Sequence, residues 1–140
     1  MSAAPPAGYS GTPLAAKLGI QTACRLCVLG EVPAGYAQLL APLPPDTIIE
    51  SEVGVQTDIA HLFVIDATEL EAQLVRLRHE LKPSAAVWVS WPKKASKVAT
   101  TVTEDVIRAV ALPLGYVDIK VCALDAVWSG LKLVVRKALR

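Results

Sequence analysis

The chain is short of the residues that build metal and redox centres, with two histidines, three cysteines, one methionine and one phenylalanine among 140 residues. His61 and His79 are too few to supply a zinc cluster, so no metal is expected. Three cysteines, an odd number behind no secretion signal, predict free thiols and not a disulfide framework. Cys24-Arg-Leu-Cys27 spells C-x-x-C, yet it opens an apolar run and not a helix, and a spacing of three sends the two side chains to opposite faces of a strand. No apolar run approaches the ~18 residues a membrane span requires, and no basic, apolar leader opens the chain, so a cytoplasmic location is expected. Charge of one sign is also scarce: the formal net charge is +1, which argues against nucleic acid as a partner. No Ser-His-Asp or Cys-His grouping can be assembled from the pattern of residues.

What is present is apolar sequence, 53% of the chain, enough for one α/β domain over residues 9–140 behind a small, proline-rich tail at 1–8. Charge is unevenly spread. Residues 1–82 hold 5 Lys/Arg against 9 Asp/Glu, and residues 83–140 hold 9 against 4, so the second half could carry an anion-attracting surface. Thr12-Pro13 and Gly19 bracket a short helix, with Thr12 as its cap. Strands are expected at 24–29, 47–50, 61–66 and 85–90, with a short helix at 36–40 and residues 51–60 unassigned. Thr68, with Glu71 three residues on, suggests a capping box ahead of Leu70, Leu74, Leu77 and Leu81, which repeat at helical spacing. Thr103 caps a second amphipathic helix running to Leu114. YVDIKVCAL and LKLVVRKAL follow as strands, and about six residues between them are too few for a parallel crossover. The expected fold is therefore Rossmann-like α/β: a mostly parallel sheet closed by a C-terminal antiparallel hairpin.

HLFVIDATELEAQLVRLRHELKPSAAVWVSWPKK, continued through the terminal hairpin, resembles the second half of an S-adenosylmethionine-dependent methyltransferase fold over about residues 61–137. That resemblance implies that Glu50 stands where the family binds ribose hydroxyls, and that Asp66 ends the next clear strand. The first half departs from it. The loop Gly30-Glu31-Val32-Pro33-Ala34-Gly35 has two glycines where the family's cofactor loop has several, and the chain is a strand and a helix short before residue 61. YSGTPLAAKLGI, WVSWPKK and VDIKVCALDAVWSGLKLVVRK together resemble the bacterial family known as domain of unknown function 3052, which implies a small, soluble, single-domain protein and no particular activity.

Ligands of open α/β sheets bind beyond the carboxyl ends of the strands. Ser90, Trp91, Lys93 and Lys94 lie at such an end, and Ser10 and Thr12 precede a helix start suited to anions. From these residues we expect an anion-binding rim that takes a small molecule or a partner's acidic segment, in a module without catalysis and without S-adenosylmethionine. The alternatives are a diverged methyltransferase, or a homodimer formed through the hairpin's edge strand, with Lys132, Arg136 and Lys137 as edge protection. Trp128 is expected to anchor the hairpin, Asp125 to cap its turn, and Asp118 to pair with Lys120 on one strand face.

Overall fold

The computed structural model describes residues 12–140; Ser10 and the tail at 1–8 lie outside them. Six strands form one sheet in the order β2-β1-β3-β4-β6-β5. They are β1 (Arg25–Gly30), β2 (Ile48–Glu50), β3 (Ile59–Phe63), β4 (Ala86–Pro92), β5 (Tyr116–Ala123) and β6 (Trp128–Val135). β2, β1, β3 and β4 pair in parallel, and β6 runs antiparallel to both β4 and β5. The mixed α/β class and the closing hairpin are as the sequence pattern predicts.

β3 and β4 are buried along their whole length, which is why both read as unbroken apolar runs. Alternate residues of β4 feed two separate cores. Val87, Val89 and Trp91 pack with α3 (Ala67–Glu80) and α4 (Glu104–Ala111) on one face. Trp88 packs on the other face, with α1 (Leu14–Lys17) and α2 (Tyr36–Leu40). The indole N–H of Trp88 donates to the Leu18 carbonyl at 2.9 Å, so the largest core side chain also ties the end of α1 to the sheet.

Helix boundaries differ from the sequence reading for local reasons. α3 begins two residues early because the carboxylate of Asp66 accepts from the Thr68 amide at 2.7 Å; Asp66 is the cap, and Thr68 and Glu71 form no capping box. Thr103 does cap α4, accepting from the Val106 amide at 3.2 Å, but the helix tightens into a 3-10 turn over Leu112–Leu114, where Pro113 cannot supply an N–H. Pro13, not Thr12, occupies the cap position of α1, and no side chain caps it.

The hairpin order corrects the expected edge. β6, the strand within LKLVVRKAL, is interior, and β5 forms the sheet margin. Lys132 and its neighbours therefore do not protect an edge. The margin is instead interrupted by a bulge between Asp118 and Lys120, which breaks the expected pairing of those residues. Asp118 takes the guanidinium of Arg108 at 2.9 Å, and Lys120 donates to the Lys17 carbonyl at 3.0 Å.

Candidate functional site

Four parallel strands place their carboxyl ends on one margin of the sheet, where ligands of open α/β folds bind. β1 and β3 approach closely there. Gly30 has φ +86°, and a Cβ at that position would run into the Phe63 carbonyl oxygen. The Glu31 amide then donates to that same oxygen at 2.8 Å. Only glycine permits this turn. Gly35, the second glycine of the loop, has open space around it and no positive φ.

Beyond this junction lies a cavity of about 360 Å³ lined by Gly30, Glu31, Phe63, Ile65, Asp66 and Glu69. Three carboxylates around one glycine turn give this cavity a negatively charged lining. A separate cavity of about 330 Å³ follows β2, with Glu50, Glu52 and Val53 in its lining. Glu50 is partly engaged: its Oε2 accepts from Arg25 Nη2 at 3.1 Å. Asp66 thus borders the cavity at the ligand-binding margin, whereas Glu50, in register with Cys27 of β1, lies three residues short of Gly30 and borders a different cavity.

The WVSWPKK segment divides between the two faces of the sheet. Trp91 and Lys94 line a third cavity, of about 560 Å³, on the face covered by α3 and α4. Lys93 is not in that lining; its amide donates to the Val127 carbonyl at 2.8 Å and holds the hairpin turn against the end of β4. Thr12 is exposed and precedes α1, which packs on the opposite face. The expected meeting of the Thr12 loop with the lysine loop in one pocket is not what the described residues form.

Ser90 points away from all three cavities, into a polar chain that sequence reasoning missed. Tyr36 Oη lies 2.7 Å from His61 Nδ1, and His61 Nε2 lies 2.7 Å from Ser90 Oγ. Tyr36 is 6% exposed, and His61 and Ser90 are fully buried. Burial pushes the His61 imidazole down to about 3 and raises the Tyr36 phenol, so the chain is a neutral relay in which each hydroxyl satisfies one ring nitrogen. Part of the signal was present in the sequence: a histidine in an otherwise apolar strand requires buried partners, and Ser90 lies two residues past His61's register partner Trp88, on the same face of the neighbouring strand.

Rings complete this layer. Phe63 stacks on His61 with centroids 4.2 Å apart and receives the edges of Tyr36 and Trp128 at 5.3 and 5.1 Å. Trp128 therefore anchors the hairpin to β3. Asp125 caps the turn, its Oδ1 accepting from the amides of Val127 and Trp128 at 2.8 and 2.7 Å. Cys24 and Cys27 are buried free thiols, and burial raises both, Cys27 to about 11. Neither has the lowered pKa of a redox or nucleophilic cysteine. Among the described residues no cluster of His, Cys, Asp and Glu could hold a metal, and no helix is long and apolar enough to cross a membrane.

No family model matches the chain, and no curated protein matches it. Solved structures do. Fibrillarin from Aeropyrum pernix, with natively bound S-adenosyl-L-methionine, superposes with TM-score 0.59 at 14% identity, over 91% of this chain and 70% of that one. A type 11 methyltransferase described from Sulfolobus solfataricus gives 0.51 at 14% identity, over 80% and 70%. LepI in complex with S-adenosylmethionine gives 0.51 at 10% identity, over 88% of this chain but 39% of its own length. The sheet is thus methyltransferase-like. These likenesses correct two sequence expectations, a module without catalysis and one without S-adenosylmethionine, and favour the alternative of a diverged methyltransferase. The sequence expectation counted glycines, whereas the β1–β3 junction demands one, Gly30, and Gly35 meets no such demand.

Proposed function

We propose that the chain is a diverged S-adenosylmethionine-dependent methyltransferase whose cofactor pocket is the acidic cavity between the carboxyl ends of β1 and β3. The observation that carries this reading is the Gly30 turn opening onto Glu31, Asp66 and Glu69 in a methyltransferase-like sheet. When bound, S-adenosylmethionine supplies an electrophilic methyl group on a cationic sulfonium. The three carboxylates suit that cation and the ammonium of the methionyl end. Gly30 lets the ligand approach backbone in place of a side chain. Glu50 and Glu52 line a separate cavity, with Glu50 in register with Cys27, three residues short of Gly30, and a ribose hydroxyl reaching Glu50 must share it with Arg25. The fit is thus good at the charged end and more constrained at the sugar end.

The motifs quoted above support membership of the domain of unknown function 3052 family, which adds no activity of its own. Three free cysteines accord with a reducing, cytoplasmic setting. Amide chemical-shift mapping with S-adenosylmethionine tests the site. Shifts concentrated at Gly30, Glu31, Ile65 and Asp66 support it, and shifts confined to other regions sink the assignment.

A further inference from the structure

The cavity of about 560 Å³ beyond β4 is chemically unlike the acidic one. Its floor is apolar, built from Trp91 and Val102, which are 7% and 1% exposed, together with Pro92 and Val98. Its cations are Lys94 and Lys97. Among the described residues neither makes an ion pair, whereas the carboxylate that faces them, Glu104, is already bound to Arg108.

Lys97 is held unusually. It sits in the left-handed region at φ 63°, closing the turn that starts at Lys93. Ser96 fixes that turn through bonds from its Oγ to the Lys93 carbonyl at 2.7 Å and from the Val98 amide to its Oγ at 3.2 Å. Glycine or asparagine is the ordinary occupant of such a position, and a lysine there is strained in the backbone. The strain brings a second unpaired cation to the rim of an apolar hollow.

A hydrogen-bonded seam separates this hollow from the acidic cavity. The Thr101 amide and Thr100 Oγ1 both donate to the Ile65 carbonyl, at 3.0 and 2.8 Å. Thr100 lines one cavity and Ile65 the other.

From this we propose that the Trp91 cavity binds an amphipathic carboxylate, a flat apolar body against Trp91 and Val102 with its anionic group between Lys94 and Lys97. The volume falls within the range of small-molecule sites, about 300–1,000 Å³. The charge separation across the seam gives each cavity a ligand of opposite sign, and the carboxylate site stands whether or not the acidic cavity holds a cofactor.

The test is calorimetric titration of the chain alone, without S-adenosylmethionine, using 2-naphthoate and its neutral analogue 2-naphthamide as probes. The wild type is expected to bind naphthoate at least fivefold more tightly than naphthamide. The Lys94→Gln, Lys97→Asn double variant keeps the left-handed turn, since asparagine tolerates it. It should lose that preference and bind both probes equally weakly. Amide shifts with naphthoate should appear at Trp91, Val98 and Val102. Three results overturn the proposal: no naphthoate binding at millimolar concentration, equal binding of acid and amide by the wild type, or naphthoate affinity unchanged in the double variant.

Discussion

Lowering the pH from 8 to 5 should destabilise this protein through His61 alone by about 2 kcal/mol. The group is fully buried, and desolvation holds it neutral down to about pH 3. An unfolded histidine takes its proton near pH ~6.5. The sign follows from linkage: below pH ~6.5 the unfolded chain binds a proton that the native state refuses, so stability is full above that value and falls as the pH drops. The slope approaches ~1.36 kcal/mol per pH unit, giving about 2 kcal/mol at pH 5 and roughly 3 at pH 4. Asp58 and Asp118 act lower. At Asp58 burial raises the carboxyl, but the Lys82 hydrogen bond and the Arg25 amide outweigh it; at Asp118 the Arg108 hydrogen bond dominates. Both are held below 3.8, so their contribution persists above that range and is lost only beneath it.

The control is a variant combining Tyr36→Phe, His61→Leu and Ser90→Ala. It removes the whole polar chain and leaves no hydroxyl unpaired, so near-neutral stability at pH 8 is reasonable. Urea unfolding followed by tryptophan fluorescence, at pH 8, 7, 6 and 5, gives the wild-type minus variant difference. That difference should fall by about 2 kcal/mol across the series, the wild type becoming the less stable of the two at pH 5. Parallel pH profiles for the two proteins would refute a neutral, desolvated His61.

Gly30→Ala forces a side chain into the Phe63 carbonyl at a positive φ, and should cost about 1–3 kcal/mol in urea unfolding; an unchanged midpoint would mean the junction relaxes freely. Asp66→Ala removes the α3 cap and should cost about 1 kcal/mol, whereas Asp66→Asn retains the cap and should unfold as the wild type does. Cys24 and Cys27, buried with raised pKa values, should react with an aromatic disulfide reagent at neutral pH only as the chain unfolds, and prompt modification of either would contradict their placement.

Much of the sheet was legible because its determinants are local. Unbroken apolar runs at 61–65 and 85–90 mark strands buried on both faces, and six residues between the last two strands leave no room for a crossover. The strand spanning Ile48 to Glu50 and the late helix capped by Thr103 were legible for the same reason. What escaped depends on contacts distant in sequence. Tyr36, His61 and Ser90 lie 25 and 29 residues apart along the polar chain, and only strand register brings them together. The interior place of β6 is a matter of sheet order, which hairpin length alone does not determine. The lysine segment was found, but its division was not: period-two alternation sends Ser90 to one core and Trp91 to the other, so residues adjacent in sequence serve different faces. The demand for glycine in the loop after β1 was misjudged for a related reason, since it is set by the proximity of Phe63 and not by the number of glycines nearby.

The central claim is that the cavity between β1 and β3 takes S-adenosylmethionine. Isothermal calorimetry with S-adenosylmethionine, on the wild type and on a Glu31→Gln, Asp66→Asn variant, tests it most directly. The account predicts saturable binding at one site per chain, weakened about tenfold in the variant, equal to ~1.4 kcal/mol, with the unfolding midpoint in urea unchanged. Absence of binding to the wild type at millimolar ligand, or equal affinity in the two proteins, would contradict it.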